Sequence, residues 1–154
     1  MKEEINYKYN RGGYLKGSGE HRGDCVPRAI SIATGLPYKK VYDELNKRTQ
    51  EWWLNSSTKE TRHRKPDRYK VHFGTYKKVY KPYLEELGWT WIPTMGIGTG
   101  CKVHLKASEL PKGRIICRLS KHLVAVIDGI MNDTYDSSRY GNRCVYGYFL
   151  RKNA

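Results

Sequence analysis

The chain has 154 residues, of which 29 are Lys or Arg and 15 are Asp or Glu, for a formal charge of +14. That length excludes two large domains and fits one domain over 1–154, while 38% hydrophobic residues with 4 Trp and 13 Tyr exclude disorder over most of it. The charge points to an anionic class of partner and to no particular reaction.

The longest apolar run, 123–127, falls far short of a bilayer span, and the first 24 residues lack the apolar stretch of an export signal. A cytoplasmic location with no membrane partner is expected. Cys25, Cys101, Cys117 and Cys144 show no paired CxxC spacing, so neither a zinc ribbon nor a redox dithiol is read and reduced thiols are expected.

In chain order, residues 1–23 form a polar, glycine-rich N-terminal arm. Residues 24–35 carry an acidic candidate N-cap in Asp24, an early Pro27, the run Ala29-Ile30-Ser31-Ile32-Ala33 and a terminating Gly35, the pattern of a buried helix. Arg28, one turn in, is read as a buried ion-pair partner. Pro37 opens a second helix with Tyr38, Val41, Tyr42 and Leu45 on one stripe. Thr75 caps a third, with Val79, Tyr80, Tyr83 and Leu84 aligned, Pro82 as a kink or break and Gly88 as its end. Between the second and third helices, residues 57–74 form a basic loop. Residues 47–81 hold 11 basic and 3 acidic groups, more than half of the net charge.

After Gly88 the period shortens to β-rich runs at 89–92, 114–119, 122–127, 130–135 and 143–150. Helices over 24–88 followed by strands over 89–150 define an α+β layout in which N-terminal helices, one of them central and buried, pack on a C-terminal antiparallel sheet. The glycines within 94–101 read as the rim of a cleft, since no helix follows to seat a phosphate. His63, His72 and His104 lack companions at metal-ligand spacing, so no metal and no cofactor is expected.

Cys25 follows Asp24 at the start of the buried helix, where the positive end of the helix dipole stabilises a thiolate and suits it to nucleophilic attack. His122 opens the apolar strand Leu123-Val124-Ala125-Val126-Ile127 and is the candidate base. Asn132, Asp133 and Asp136 lie on the strand returning from Asp128-Gly129 and are candidates to orient the imidazole. A two-residue turn puts Asp133 on the face of His122, and a bulged three-residue turn puts Thr134 or Asp136 there. Asp136, level with His122 at the strand end, is preferred.

The blocks Gly23-Asp24-Cys25-Val26-Pro27-Arg28-Ala29-Ile30, Ser120-Lys121-His122-Leu123-Val124-Ala125-Val126-Ile127-Asp128-Gly129 and Asp133-Thr134-Tyr135-Asp136 resemble the papain-like cysteine hydrolases. They are most similar to the small peptidase-like branch carried by bacteriophages and mobile elements. That resemblance implies a papain-like fold and cleavage of a peptide or isopeptide-type amide in a peptide or protein substrate through a thioester. Cys25 would be the nucleophile, His122 the base and acid, and Asp136 the orienting group, in the host cytoplasm if phage-encoded. The family commonly places a glutamine about six residues before the cysteine as an oxyanion donor, but Gly19 stands there, so His21, Ser18 or Asn10 would substitute.

A second reading belongs to a different class. Arg62, Arg64, Lys65, Arg68 and Lys70, interleaved with Tyr69, would hold nucleic acid or another polyanion through residues 59–81. The protein would then be an inactive papain-like binding protein for an anionic ligand, such as a phage counter-defence factor.

Overall fold

A computed structural model describes residues 5–13, 24–55, 77–96 and 98–151. The elements run β1 (Asn6–Tyr9), α1 (Cys25–Thr34), α2 (Tyr38–Asn55), α3 (Lys77–Glu86), β2 (Trp89–Pro93), β3 (Arg114–Leu119), β4 (His122–Ile127), β5 (Ile130–Asp133) and β6 (Gly147–Arg151), with one turn of 3₁₀ helix at Ala107–Glu109. Among the described residues the architecture is α+β, three helices with one six-stranded sheet of order β1-β5-β4-β3-β6-β2. No described helix is long and apolar enough to cross a membrane.

α1 forms where its apolar run demands burial on all sides: every residue from Val26 to Ala33 is buried. Gly35 ends it in the left-handed region at φ 78°, its N–H bonding the Ser31 carbonyl at 2.9 Å. Asp24, expected to cap the helix, makes no side-chain cap bond. Its carboxylate is taken instead by Arg28 and by the Tyr38 hydroxyl, at 2.9 Å for the latter, because a buried guanidinium competes more strongly for a carboxylate than a backbone N–H does. α3 passes through Pro82 unbroken. The proposed cap at Thr75 and the basic residues Arg62, Arg64, Lys65, Arg68 and Lys70 lie outside the described residues, as do His21 and Ser18.

Both faces of the sheet are covered. On one, Ile116, Leu123, Ala125 and Phe149 pack against Ile30, Val41, Leu45, Tyr80 and Leu84 of the helices. On the other, Ile115, Cys117, Val124, Val126 and Met131 pack against Leu105 and Leu110 of the segment that precedes β3. The two-sided burial explains why β4 reads as a continuous apolar run and not as an alternation.

Three expectations about the sheet change. It is not wholly antiparallel, because Asn6–Tyr9, in the part assigned to the arm, adds an edge strand parallel to β5. The run 130–135 stops at Asp133, and of 143–150 the strand proper is Gly147–Arg151, Cys144 making only an isolated bridge with His104. That bridge brings Cys144 beside the 101–105 segment, where it forms a disulfide with Cys101 across a Cα separation of 5.8 Å. The four cysteines are therefore not all thiols: Cys25 and Cys117 are the free ones.

Two glycines position the site. Gly129, at φ 78° beside Asp128 at φ 50°, completes a two-residue turn that sets Ile127 opposite Ile130 and Ala125 opposite Asn132. Gly12, at φ 68°, lets the chain leaving β1 run against α1, where an added Cβ would lie 3.0 Å from Arg28 Cγ.

Candidate active site

The start of α1, the start of β4 and the end of β5 meet at one end of the sheet. α1 packs chiefly on β4, which brings the half-buried Cys25 to His122. The two-residue turn decides which acid joins them. Extended by three residues, its register sets His122 opposite Tyr135 and puts Asp133 on the same face, one step along the diagonal. His122 Nε2 lies 2.6 Å from Asp133 Oδ2, with side chains 7% and 1% exposed, and the His122 and Tyr135 rings are 5.5 Å apart.

Asp133, and not the preferred Asp136, is thus the carboxylate on the imidazole. The preference took level along the strand as decisive, but β5 ends at Asp133 and the chain turns away. Asp136 sits in that turn and accepts from the Ser138 N–H at 3.0 Å and the Ser138 hydroxyl at 2.6 Å. Asn132 is directed elsewhere: its amide donates to the Ile130 carbonyl at 2.9 Å, and its oxygen accepts from Asn10 at 3.2 Å. Asn10 in turn accepts from the Gly12 N–H at 2.9 Å, so this candidate oxyanion donor already uses both ends of its amide.

Asp133 is held from several sides. Its Oδ1 accepts from Arg28 Nη2 at 2.9 Å and from the Thr134 N–H at 2.7 Å, and its Oδ2 accepts from the Ser137 hydroxyl at 3.0 Å as well as meeting His122. Burial works against the charged carboxylate, but the bond to His122, the charges of His122 and Arg28 and the Thr134 N–H outweigh it and hold Asp133 below its ordinary value. Arg28 is the buried ion-pair partner that its position suggests, joining Asp24, four residues before it, to Asp133, 105 residues after it. The (i, i+4) spacing of Asp24 and Arg28 was a usable sign of that pair. Thr134, placed near His122 only by a bulged turn, acts through its backbone N–H, and nothing local marked Ser137.

The Cys25 side chain lies close enough to the imidazole to act on its protonation. Since Nε2 belongs to Asp133, Nδ1 is the nitrogen left for sulfur. Burial pulls the imidazolium down, yet the bonded Asp133 carboxylate and the neighbouring Cys25 bring His122 up to about 9. It is therefore protonated at neutral pH. Nearby, burial raises Tyr80 to about 12 against the lowering effect of Arg118, so its hydroxyl stays protonated. No group of three metal-ligating side chains occurs among the described residues, and His104 meets Glu109 at 3.2 Å. Comparisons with protein-family models, curated proteins and solved structures found no match.

Proposed function

We propose that the protein is a papain-like cysteine hydrolase that cleaves a peptide or isopeptide-type amide. The observation that carries this reading is the single imidazole of His122, held through Nε2 by a buried carboxylate and lying beside the Cys25 side chain at the start of a buried helix. Asp133 takes one ring nitrogen and leaves the other for sulfur, the arrangement a nucleophile, a base and an orienting group require.

In the reaction, the Cys25 sulfur attacks the amide carbon, the S–C bond forms and the carbonyl π pair moves onto oxygen. The first N–H groups of a helix lack intrahelical acceptors, so that of Cys25 can donate to this oxyanion. As the C–N bond breaks, the His122 proton passes to the leaving amine. Water then attacks the thioester, giving its proton to His122, and the acid departs as the Cys25 sulfur leaves. Throughout, Asp133 keeps the ring oriented and stabilises its charge.

The reading is tested by incubating a mixed peptide library with the protein and sequencing new amino termini. New termini are expected with the native chain and none with Cys25→Ala. Identical termini with both proteins would contradict it.

A further inference from the structure

Beside His122 lies a cavity of about 610 Å³ whose wall carries Lys121, Arg139, Arg143, Tyr135 and Asp136 together with His122 itself. Its lining is net positive: Lys121, Arg139 and Arg143 face the single carboxylate of Asp136, which accepts from Ser138. Arg143 bridges two walls through carbonyls, donating to Ser120 at 2.6 Å and to Ser137 at 3.3 Å, so no carboxylate offsets its charge. Lys121 and Arg139 are exposed and form no ion pair with any described residue. Both, with Tyr140, hold left-handed backbone at φ 54°, 52° and 58°, a conformation that side-chain-bearing residues adopt at a cost.

Resting on the hydrolase reading above, we infer that this cavity is a subsite for the leaving-group side of the substrate, and that it selects an amine bearing a carboxylate. The side follows from the chemistry. A general acid must come within hydrogen-bond reach of the departing nitrogen, so whatever that nitrogen carries extends past His122. The cavity is walled by His122 and not by Cys25. Its volume suits a leaving group of small-ligand size. Three cations against one carboxylate, beside a protonated imidazole, leave a positive excess that favours an anion, and a guanidinium matches a carboxylate by planar, two-point bonding.

The carboxylate is either a terminal one or that of an acidic side chain, and three alkylating reagents separate these: N-iodoacetylglutamine, the α-amide of N-iodoacetylglutamate, and the neutral N-iodoacetylglutamine amide. Rates at Cys25 are read by mass spectrometry, with glutathione as the reference thiol. One or both acidic reagents should outpace the neutral one by about tenfold more at Cys25 than at glutathione, the size of one charge-assisted contact. The favoured reagent names the carboxylate. The preference should collapse in Lys121→Glu/Arg139→Glu and, without any substitution, in high salt. Fast labelling by the neutral reagent with no acidic preference, or a preference that survives both changes, overturns the subsite and leaves the nucleophile standing. Slow labelling by the neutral reagent overturns the hydrolase reading and the subsite with it. Protection of Cys25 by an oligonucleotide without any acidic preference would reassign the cavity to a polyanion.

Discussion

Asp133 grips His122 through Nε2 at 2.6 Å while Asp136, three residues on, is engaged by Ser138. The two acids should therefore separate cleanly on substitution. Asp133→Asn retains the shape of the side chain but offers the ring a donor and removes the charge beside it. Cys25 alkylation by iodoacetamide should slow by a factor of about 10² or more, as when a triad loses its orienting acid. Asp136→Asn should stay within about twofold. Equal effects at the two positions would return the orienting role to Asp136 or deny it to both.

Arg28 joins Asp24 to Asp133 with its side chain 8% exposed. Arg28→Met would remove the cation that the buried carboxylates of Asp24 and Asp133 share, leaving Asp133 ion-paired with His122 alone, at a cost of about 3–5 kcal/mol in urea unfolding. The exposed pair Lys39–Asp43 supplies a control, since Lys39→Met should change stability by less than about 1 kcal/mol. Similar losses for both variants would show that the Asp24–Arg28–Asp133 link does not organise the site.

Much of this arrangement was legible in the chain itself. The run around Ile30 and the density of apolar residues at 114–119 and 122–127 mark α1, β3 and β4 because burial leaves them little choice of residue. β1 escaped because Asn6–Tyr9 is exposed at all four positions, and an edge strand with no buried face carries no alternation. The orienting acid was narrowed to a choice of turn, and Asp128-Gly129 taken as a two-residue loop already pointed to Asp133. The partner of Arg28 on β5 was out of reach, since no local pattern encodes a contact between residues 105 apart. The Cys101–Cys144 pairing was hidden for the same reason.

The pH dependence of stability carries a signature of His122. Its value of about 9 stands above the ordinary 6.5, so the stabilisation it confers is full below about 6.5 and is lost as pH rises through 9, amounting to about 3 kcal/mol. Asp133 acts in the opposite sense: held below 3.8, it stabilises above that pH and loses the contribution as acid reaches its native value. Urea unfolding of the native chain and His122→Ala should therefore converge between pH 6.5 and about 9.5. Parallel curves over that window would mean that the imidazolium is not held as described.

Cys101 and Cys144 close a loop with a sequence separation of 43. Restricting the unfolded chain by that amount corresponds to about 4 kcal/mol in the chain-entropy view. Unfolding in the presence of a reductant, or of Cys101→Ser, should show a loss of roughly 2–4 kcal/mol. An unchanged midpoint under reduction would show that the bond does not form in solution.

The most direct measurement is site-resolved alkylation of the folded protein by iodoacetamide at neutral pH, comparing Cys25 with buried Cys117 and with glutathione. Cys25 should react well ahead of both, and His122→Ala should slow it by at least about tenfold while leaving Cys117 silent. A Cys25 that reacts no faster than glutathione, or at a rate indifferent to His122, would contradict the assignment of a cysteine nucleophile.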